Sequence, residues 1–311
     1  MFWVLQYFFP YLFNNVDEEP MQSETTTQPP NHEEIIREEE EFKEDTIGVI
    51  EDNISEPDER FRMFTENKVK KALLIGINYE TNHTSDDDLR GCVNDVNNLQ
   101  NYLLDKCMFT KDQMTLLTGA DATKENIINQ LNEMVHFAHN NVVSELWLSY
   151  SGHGSQVNSF TESDGKNEVL CPVDYLYNGI ITDDYLKTQF LEKLPKTTKL
   201  FVVMDCCHSG SNMDLTYAIK NGELVNRHES EIDAQVVKLS GCLDEQVSMD
   251  AYNHNMKEFQ GAFTDAFIHT DGKCETCELV NNINTYLQTK KYAQISQLSF
   301  SKKELVNYCL Y

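Results

Sequence analysis

Two short stretches of this 311-residue chain carry side chains suited to covalent chemistry. Tyr150-Ser151-Gly152-His153-Gly154 sets an imidazole between glycines, and Asp205-Cys206-Cys207-His208-Ser209-Gly210 sets a thiol among turn-forming residues. A thiolate is a strong nucleophile, and a nearby imidazole accepts its proton or stabilises it as an ion pair. Alone, a Cys after a strand is ordinarily a small hydrophobe, and a His in a glycine-flanked turn is ordinarily structural. The pair carries more weight because each member follows an apolar run. On these grounds either Cys206 or Cys207 has the right setting for the nucleophile. His208 adjoins the thiols, but neighbouring residues near a strand end project in different directions, so it is expected to be structural or to face solvent. The backbone N–H groups of Gly154 and Cys207 are candidates for holding an oxyanion, a contribution of about 2.7–4 kcal/mol per donor.

The elements that must position these groups follow from periodicity. Lys71–Tyr79 is a short apolar run ending at a turn and reads as a buried strand, as do Met114–Leu117, Glu145–Tyr150 and Lys199–Met204. Between them fall helix candidates at about Leu89–Leu104, with Val96, Leu99 and Leu103 on one face, and after Thr123, a natural N-cap. The second has Ile127, Ile128, Leu131, Val135 and Ala138 at helical spacing. A further helix is expected over Asp183–Leu194, a strand over Gln235–Leu239, and helices near Gly261–His269 and Thr276–Gln288. Alternating strands and helices imply an α/β fold with a central, mainly parallel sheet flanked by helices on both faces. Functional groups then gather beyond the carboxyl ends of the strands, which is where His153 and the two thiols lie.

Composition narrows the partners. The net charge of −26 disfavours nucleic acid and anionic lipid surfaces and suits cationic partners, whether a basic peptide or a metal ion. Residues 1–65 read as an acidic, partly disordered N-terminal extension, with Glu38–Glu41 unbroken. Its apolar start, Met1–Phe13, is too short to span a bilayer, which takes about 20 residues. That start is expected to pack on the main domain, a membrane-surface anchor being the weaker alternative. The nine cysteines have no framework spacing, so reduced thiols and a cytoplasmic setting are expected. Cys274 and Cys277 form a C-x-x-C without a second pair and read as structural or incidental. No organic cofactor is expected, since there is no dinucleotide fingerprint or phosphate loop.

Read together, the segments KALLIGINY (71–79), LRGCVNDV (89–96), YSGHG (150–154), PVDY (172–175), GIITDDYL (179–186), DCCHSGS (205–211), LSGCLDEQVSMDA (239–251) and GAFTDAF (261–267) resemble the metacaspases of the caspase-like cysteine peptidase clan. The resemblance implies a caspase-like fold, a catalytic pair of His153 and Cys207, and cleavage after Arg or Lys. It implies an acidic S1 pocket at Cys92, Asp95, Ser151 and Asp205. Residue spacing agrees in part: Cys92 and Asp95 share a helix face, and two carboxylates in a cleft select a cationic side chain. It implies a large-subunit-like (p20) region at 66–216 and a small-subunit-like (p10) region at 235–311. The polar gap at 217–234 reads as an exposed linker.

Calcium activation is a further implication, with Asp183, Asp184 and Asp214 at the matching acidic positions and Asn167 where the family often has Asp, beside Glu168. Self-cleavage after a basic residue is implied as well. Its candidates are Lys220, Arg227 and Lys238 in the gap and beyond, and Arg60, Lys68, Lys70 or Lys71 upstream. A monomer acting on protein or peptide substrates with a basic P1 residue is expected. A catalytically silent scaffold of the same fold is the alternative.

Overall fold

A computed structural model describes residues 68–80, 88–142, 144–159, 165–207, 209, 213–220, 222–227, 232–241, 250–253, 258–270 and 275–310. The N-terminal extension, His208, Cys274 and residues 242–249 lie outside the described residues. So do the expectations placed on them, including the role of Met1–Phe13.

Five strands form the parallel centre of an eight-stranded sheet: β1 (Val69–Gly76), β2 (Met114–Thr118), β3 (Ser144–Ser151), β7 (Thr198–Asp205) and β10 (Gln235–Ser240), in the spatial order β2-β1-β3-β7-β10. β13 (Gln297–Phe300) continues the sheet antiparallel to β10, followed by the hairpin β8 (Tyr217–Lys220) and β9 (Glu223–Asn226). β3 is buried at every position, as expected of a strand covered on both faces. One face carries Ala72, Leu74, Trp147, Phe201, Val203, Val237 and Leu239. Trp147, Phe201, Phe267 and Tyr102 pack ring against ring there, with centroids 4.8–6.4 Å apart. That core is roofed by helices α1 (Cys92–Lys106), α3 (Ala262–His269) and α4 (Thr276–Thr289). α2 (Lys124–Asn140) packs against β1, β2 and β3, buries Ile127, Leu131, Met134 and Ala138, and is capped by Thr123 Oγ1 accepting from Asn126 N at 3.2 Å, a bond worth about 1 kcal/mol.

Three expectations need correction. The gap at 217–234 is not simply an exposed linker, since β8 and β9 extend the main sheet and Ala218 is fully buried. The missed signal was Asn221-Gly222, a strong hairpin dipeptide; Gly222 has φ 78°, a conformation glycine adopts without penalty. The helix expected over Asp183–Leu194 is irregular, with an α turn at Asp183–Tyr185, a π turn at Leu186–Phe190 and a 3₁₀ turn at Leu191–Lys193. Finally, α1 begins at Cys92 rather than Leu89. Gly91 offers no side-chain cap, and Asn78 Oδ1 accepts from Val93 N at 3.3 Å instead.

Two small sheets complete the frame: β4 (Gly154–Asn158), β5 (Lys166–Leu170) and β6 (Ile181–Thr182), and the hairpin β11 (Asp250–Asn253) with β12 (Glu258–Gly261).

Candidate active site

Strand register alone brings the two motifs together. Gly76, Ser151 and Asp205 are paired neighbours at the carboxyl ends of β1, β3 and β7. His153 lies two residues past Ser151 and Cys207 two residues past Asp205. The chain after His153 turns back across the thiol segment: a Cβ on Gly154 would collide with the Cys207 carbonyl oxygen and lie 3.2 Å from Cys206 Sγ. Only glycine permits that approach. Cys206 and Cys207 are both buried, Cys207 at 8% exposure being the more open, while His153 is half-buried. The imidazole lies against the Tyr79 ring, with centroids 4.4 Å apart and planes tilted by 30°.

Beside this pair two carboxylates converge. Asp95 on α1 and Asp205 at the end of β7 are 0% and 5% exposed. Asp95 accepts from Ser151 Oγ at 2.6 Å and from Gly261 N at 2.8 Å. Asp205 accepts from both Thr264 N, 3.0 Å, and Thr264 Oγ1, 2.7 Å, at the amino end of α3, whose dipole favours a negative charge. Gly261 sits between them: a Cβ there would clash with Asp205 and approach Asp95 Oδ2 to 2.9 Å. Gly76 has a related role. A Cβ on it would collide with the Cys92 carbonyl, so its absence lets the start of α1, with Cys92 and Asp95, lie over the strand ends. The structure therefore brings Asp95, Ser151 and Asp205 into one cluster with Cys92 at its edge. Sequence reasoning quoted the segment holding Gly261 and Thr264 without assigning it a task. Nothing in residue type marked them, because their contribution is a backbone N–H and a hydroxyl delivered from 166 and 59 residues away, respectively.

A second acidic group forms where β5, β6 and the irregular helical stretch meet. Asp183 is fully buried; its carboxyl accepts from Asp184 N at 2.8 Å and from Glu168 N at 3.3 Å. Burial first, then a hydrogen bond with Glu168 and the charges of Asp214 and Glu168, pushes the Asp183 carboxyl up to about 8. Asp184 accepts from Asn167 Nδ2 at 2.6 Å, and Asp214 meets Lys187 Nζ at 3.3 Å. Asn167 Oδ1 is buried without a hydrogen-bond partner. Met213 and Asp214 both have positive φ, 77° and 45°, a strained conformation for such side chains. Among the described residues, no three His, Cys, Asp or Glu side chains form a ready-made metal centre. The donor set is nevertheless hard oxygen throughout, and the orphaned Asn167 carbonyl and the charge-burdened Asp183 are features a cation would relieve.

The self-cleavage candidates are scattered. Lys70 and Lys238 are buried in β1 and β10, with Nζ donating to Cys107 O at 2.9 Å and to Ser209 O at 3.0 Å, so neither presents an accessible chain segment. Arg227 follows β9, half-buried, its guanidinium donating to Gln297 Oε1 at 2.9 Å, and Lys220 closes β8. Cys277 is half-buried, its thiol pushed up to about 11 by burial and by Glu275.

A caspase-like α/β sheet with a His segment and a Cys segment beyond the carboxyl ends of adjacent strands defines a class, the cysteine peptidases of that fold. Residues 70–216 match the metacaspase peptidase C14 domain. Metacaspase-1 of Debaryomyces hansenii is 31% identical over 301 residues, an overlap covering 78% of this chain and 67% of that protein. Metacaspase-3 of Trypanosoma brucei brucei is 34% identical over 261 residues, covering 75% and 71%. A solved structure from Geobacter sulfurreducens superposes with a TM-score of 0.56 at 20% identity, over 78% of this chain and 100% of that one, a likeness of fold. The chain belongs to the metacaspase family of cysteine peptidases, as its motifs led one to expect. No helix among the described residues is long and apolar enough to cross a membrane.

Proposed function

We propose that this metacaspase is an endopeptidase cleaving after Arg or Lys, with Cys207 as nucleophile and His153 as base. The observation carrying the specificity is the pair of buried carboxylates, Asp95 and Asp205, converging at Gly261 beside the thiol segment. Each already has its donors in place, so a guanidinium or ammonium enters a site whose negative charge is oriented beforehand, and an acidic P1 residue meets repulsion. In the reaction, His153 takes the Cys207 thiol proton as sulfur attacks the scissile carbonyl carbon. The backbone N–H groups of Gly154 and Cys207 receive the oxyanion. His153 passes the proton to the leaving amine and the C–N bond breaks, leaving an acyl-thioester. Water, deprotonated by His153, then releases the acid and restores the thiol.

Calcium is the proposed activator, held by Asp183, Asp184, Glu168, Asp214 and the Asn167 carbonyl. When bound it would supply positive charge to oxygens that now crowd one another. Lys187 would have to release Asp214. Self-processing is proposed after Lys220, at the turn end of the β8–β9 hairpin, or after Arg227, at its open end. A monomer in the cytoplasm is the working setting.

The test is cleavage of two matched fluorogenic peptides, with Arg or Asp at P1, in millimolar calcium or chelator, by the wild type and by Cys207→Ala. Release from the Arg peptide alone, lost on chelation and in Cys207→Ala, is expected. Release in chelator removes calcium from the account. Silence towards both peptides favours the scaffold reading.

A further inference from the structure

Two tyrosines, Tyr79 just after β1 and Tyr150 within β3, meet beneath His153 and bond to its backbone N–H and carbonyl. His153 N donates to Tyr79 Oη at 2.9 Å, and Tyr150 Oη donates to His153 O at 2.9 Å. Tyr79 Oη donates onward to Cys171 O at 2.6 Å, and Cys171 N is shared between His153 O at 3.1 Å and Tyr150 Oη at 3.2 Å. The hydroxyls themselves lie 3.2 Å apart. Tyr150 Oη also lies 3.0 Å from Cys171 O; each phenol has one proton to give, and with Tyr79 Oη closer to that carbonyl at 2.6 Å, the Tyr150 proton goes to His153 O. Both rings are 1% exposed, and burial holds both hydroxyls well above their usual range, so they stay protonated.

Three further facts show that the arrangement is fixed. Tyr79 adopts φ 61°, rare and strained for a bulky residue, and that conformation must be held by its surroundings. Its ring is gripped between the His153 imidazole and the edge of Tyr175, 6.1 Å away at 83°. Gly152 has no room for a side chain, since a Cβ would lie 2.9 Å from Tyr150 Oη and 3.0 Å from Tyr79 Oη. The glycine before the histidine is therefore the space into which the two hydroxyls fit.

We infer that Tyr79 and Tyr150 are positioning residues for His153, a hydroxyl clamp on its peptide groups combined with a ring that sets the plane of its imidazole. The inference rests on His153 acting as the base. Neither tyrosine touches the reacting atoms; they act by fixing where the imidazole stands relative to the thiol.

The experiment compares full-length Tyr79→Phe, Tyr150→Phe and the double variant with the wild type. Phe keeps the ring and removes only the hydroxyl. With the Arg peptide, kcat should fall about tenfold in each single variant while KM changes less than twofold, because misplacing a catalytic group by a fraction of an ångström acts on the chemical step. The double variant should lose less than the product of the singles, as one clamp is broken twice. A lowered melting temperature with unchanged kcat would overturn the inference, leaving the tyrosines structural. A second readout needs no substrate: the rate of iodoacetamide alkylation at Cys207, mapped by mass spectrometry, with His153→Ala as reference. Alkylation in Tyr79→Phe should move towards the His153→Ala value. Alkylation equal to wild type would overturn the clamp even if no peptide is cleaved. An Arg peptide left uncut by the wild type, with alkylation still shifted in Tyr79→Phe, would count against the substrate reading and for the clamp.

Discussion

The two acidic sites of this molecule are built in opposite ways. At the strand ends Asp95 and Asp205 are buried with donors on their oxygens, from Ser151, Gly261 and Thr264. Around β5 the carboxylates face one another: Asp183 shares a hydrogen bond with Glu168 and feels Asp214, and a neighbouring amide oxygen has no partner. The first site has its carboxylates held by donors already in place, the arrangement proposed to receive a basic side chain. The second is strained by its own charge and is relieved by a proton, by Lys187 or by a cation. Preorganisation suits a specificity pocket, which must discriminate without rearranging. Frustration suits a switch, because its energy changes with what is bound.

The contrast can be broken in several places. The largest effect is expected at Asp205→Asn. Losing one charge-assisted contact to a guanidinium costs up to about 3 kcal/mol, or roughly 100-fold in kcat/KM for the Arg peptide. A loss below threefold would mean that the pair does not select the basic side chain.

At the second site the dependence on pH has a definite sign. Asp183 holds its proton to about 8 when folded, against 3.8 for an unperturbed group. Between those values the unfolded chain has released a proton that the fold retains, so folding becomes less favourable as pH rises through that window and levels off above it. In chelator the melting temperature should therefore fall from pH 5 to pH 8, and calcium should restore it at pH 8. Asp183→Asn should flatten the pH profile and abolish the calcium response. A profile unchanged by that substitution would place the frustration elsewhere.

A smaller effect is expected at Lys187→Met. Removing the ammonium from Asp214 should tighten calcium binding, measured by calorimetry, by up to about fivefold. Weaker binding would show that Lys187 supports the site. The smallest is Arg227→Gln, which should remove at most one processed fragment on a gel while leaving peptide turnover unchanged.

Much of this architecture was legible in the sequence because it depends on local pattern. Apolar runs marked the five parallel strands, and Thr123 marked the start of α2. His153 and the adjacent thiols Cys206 and Cys207 stood out as unusual chemistry at the ends of those runs, and only the family resemblance singled out Cys207. What was hidden depends on contacts across the chain. Thr264 and Gly261 are ordinary residues until α3 and β12 fold over the strand ends, and Tyr79 looks like one more apolar strand residue until its hydroxyl is found under His153. Lys238 is the reverse case. A basic residue suggested a cleavage point, its place in the strand expected over Gln235–Leu239 counted against it, and β10 buries it with its ammonium on the Ser209 carbonyl. The hairpin at 217–226 was readable from Asn221-Gly222, and was masked by the polar residues around it.

The most direct test of the central claim, that Cys207 is the nucleophile of a site selecting a basic side chain, is covalent trapping. The wild type in calcium is treated with a peptidyl ketone electrophile bearing Arg at P1, and the modified thiol is located by peptide mapping. The account predicts a single adduct, on Cys207, absent in His153→Ala and outcompeted by an Arg peptide, with no labelling by the matched Asp reagent. Labelling of Cys206, or equal labelling by the Asp reagent, would contradict it.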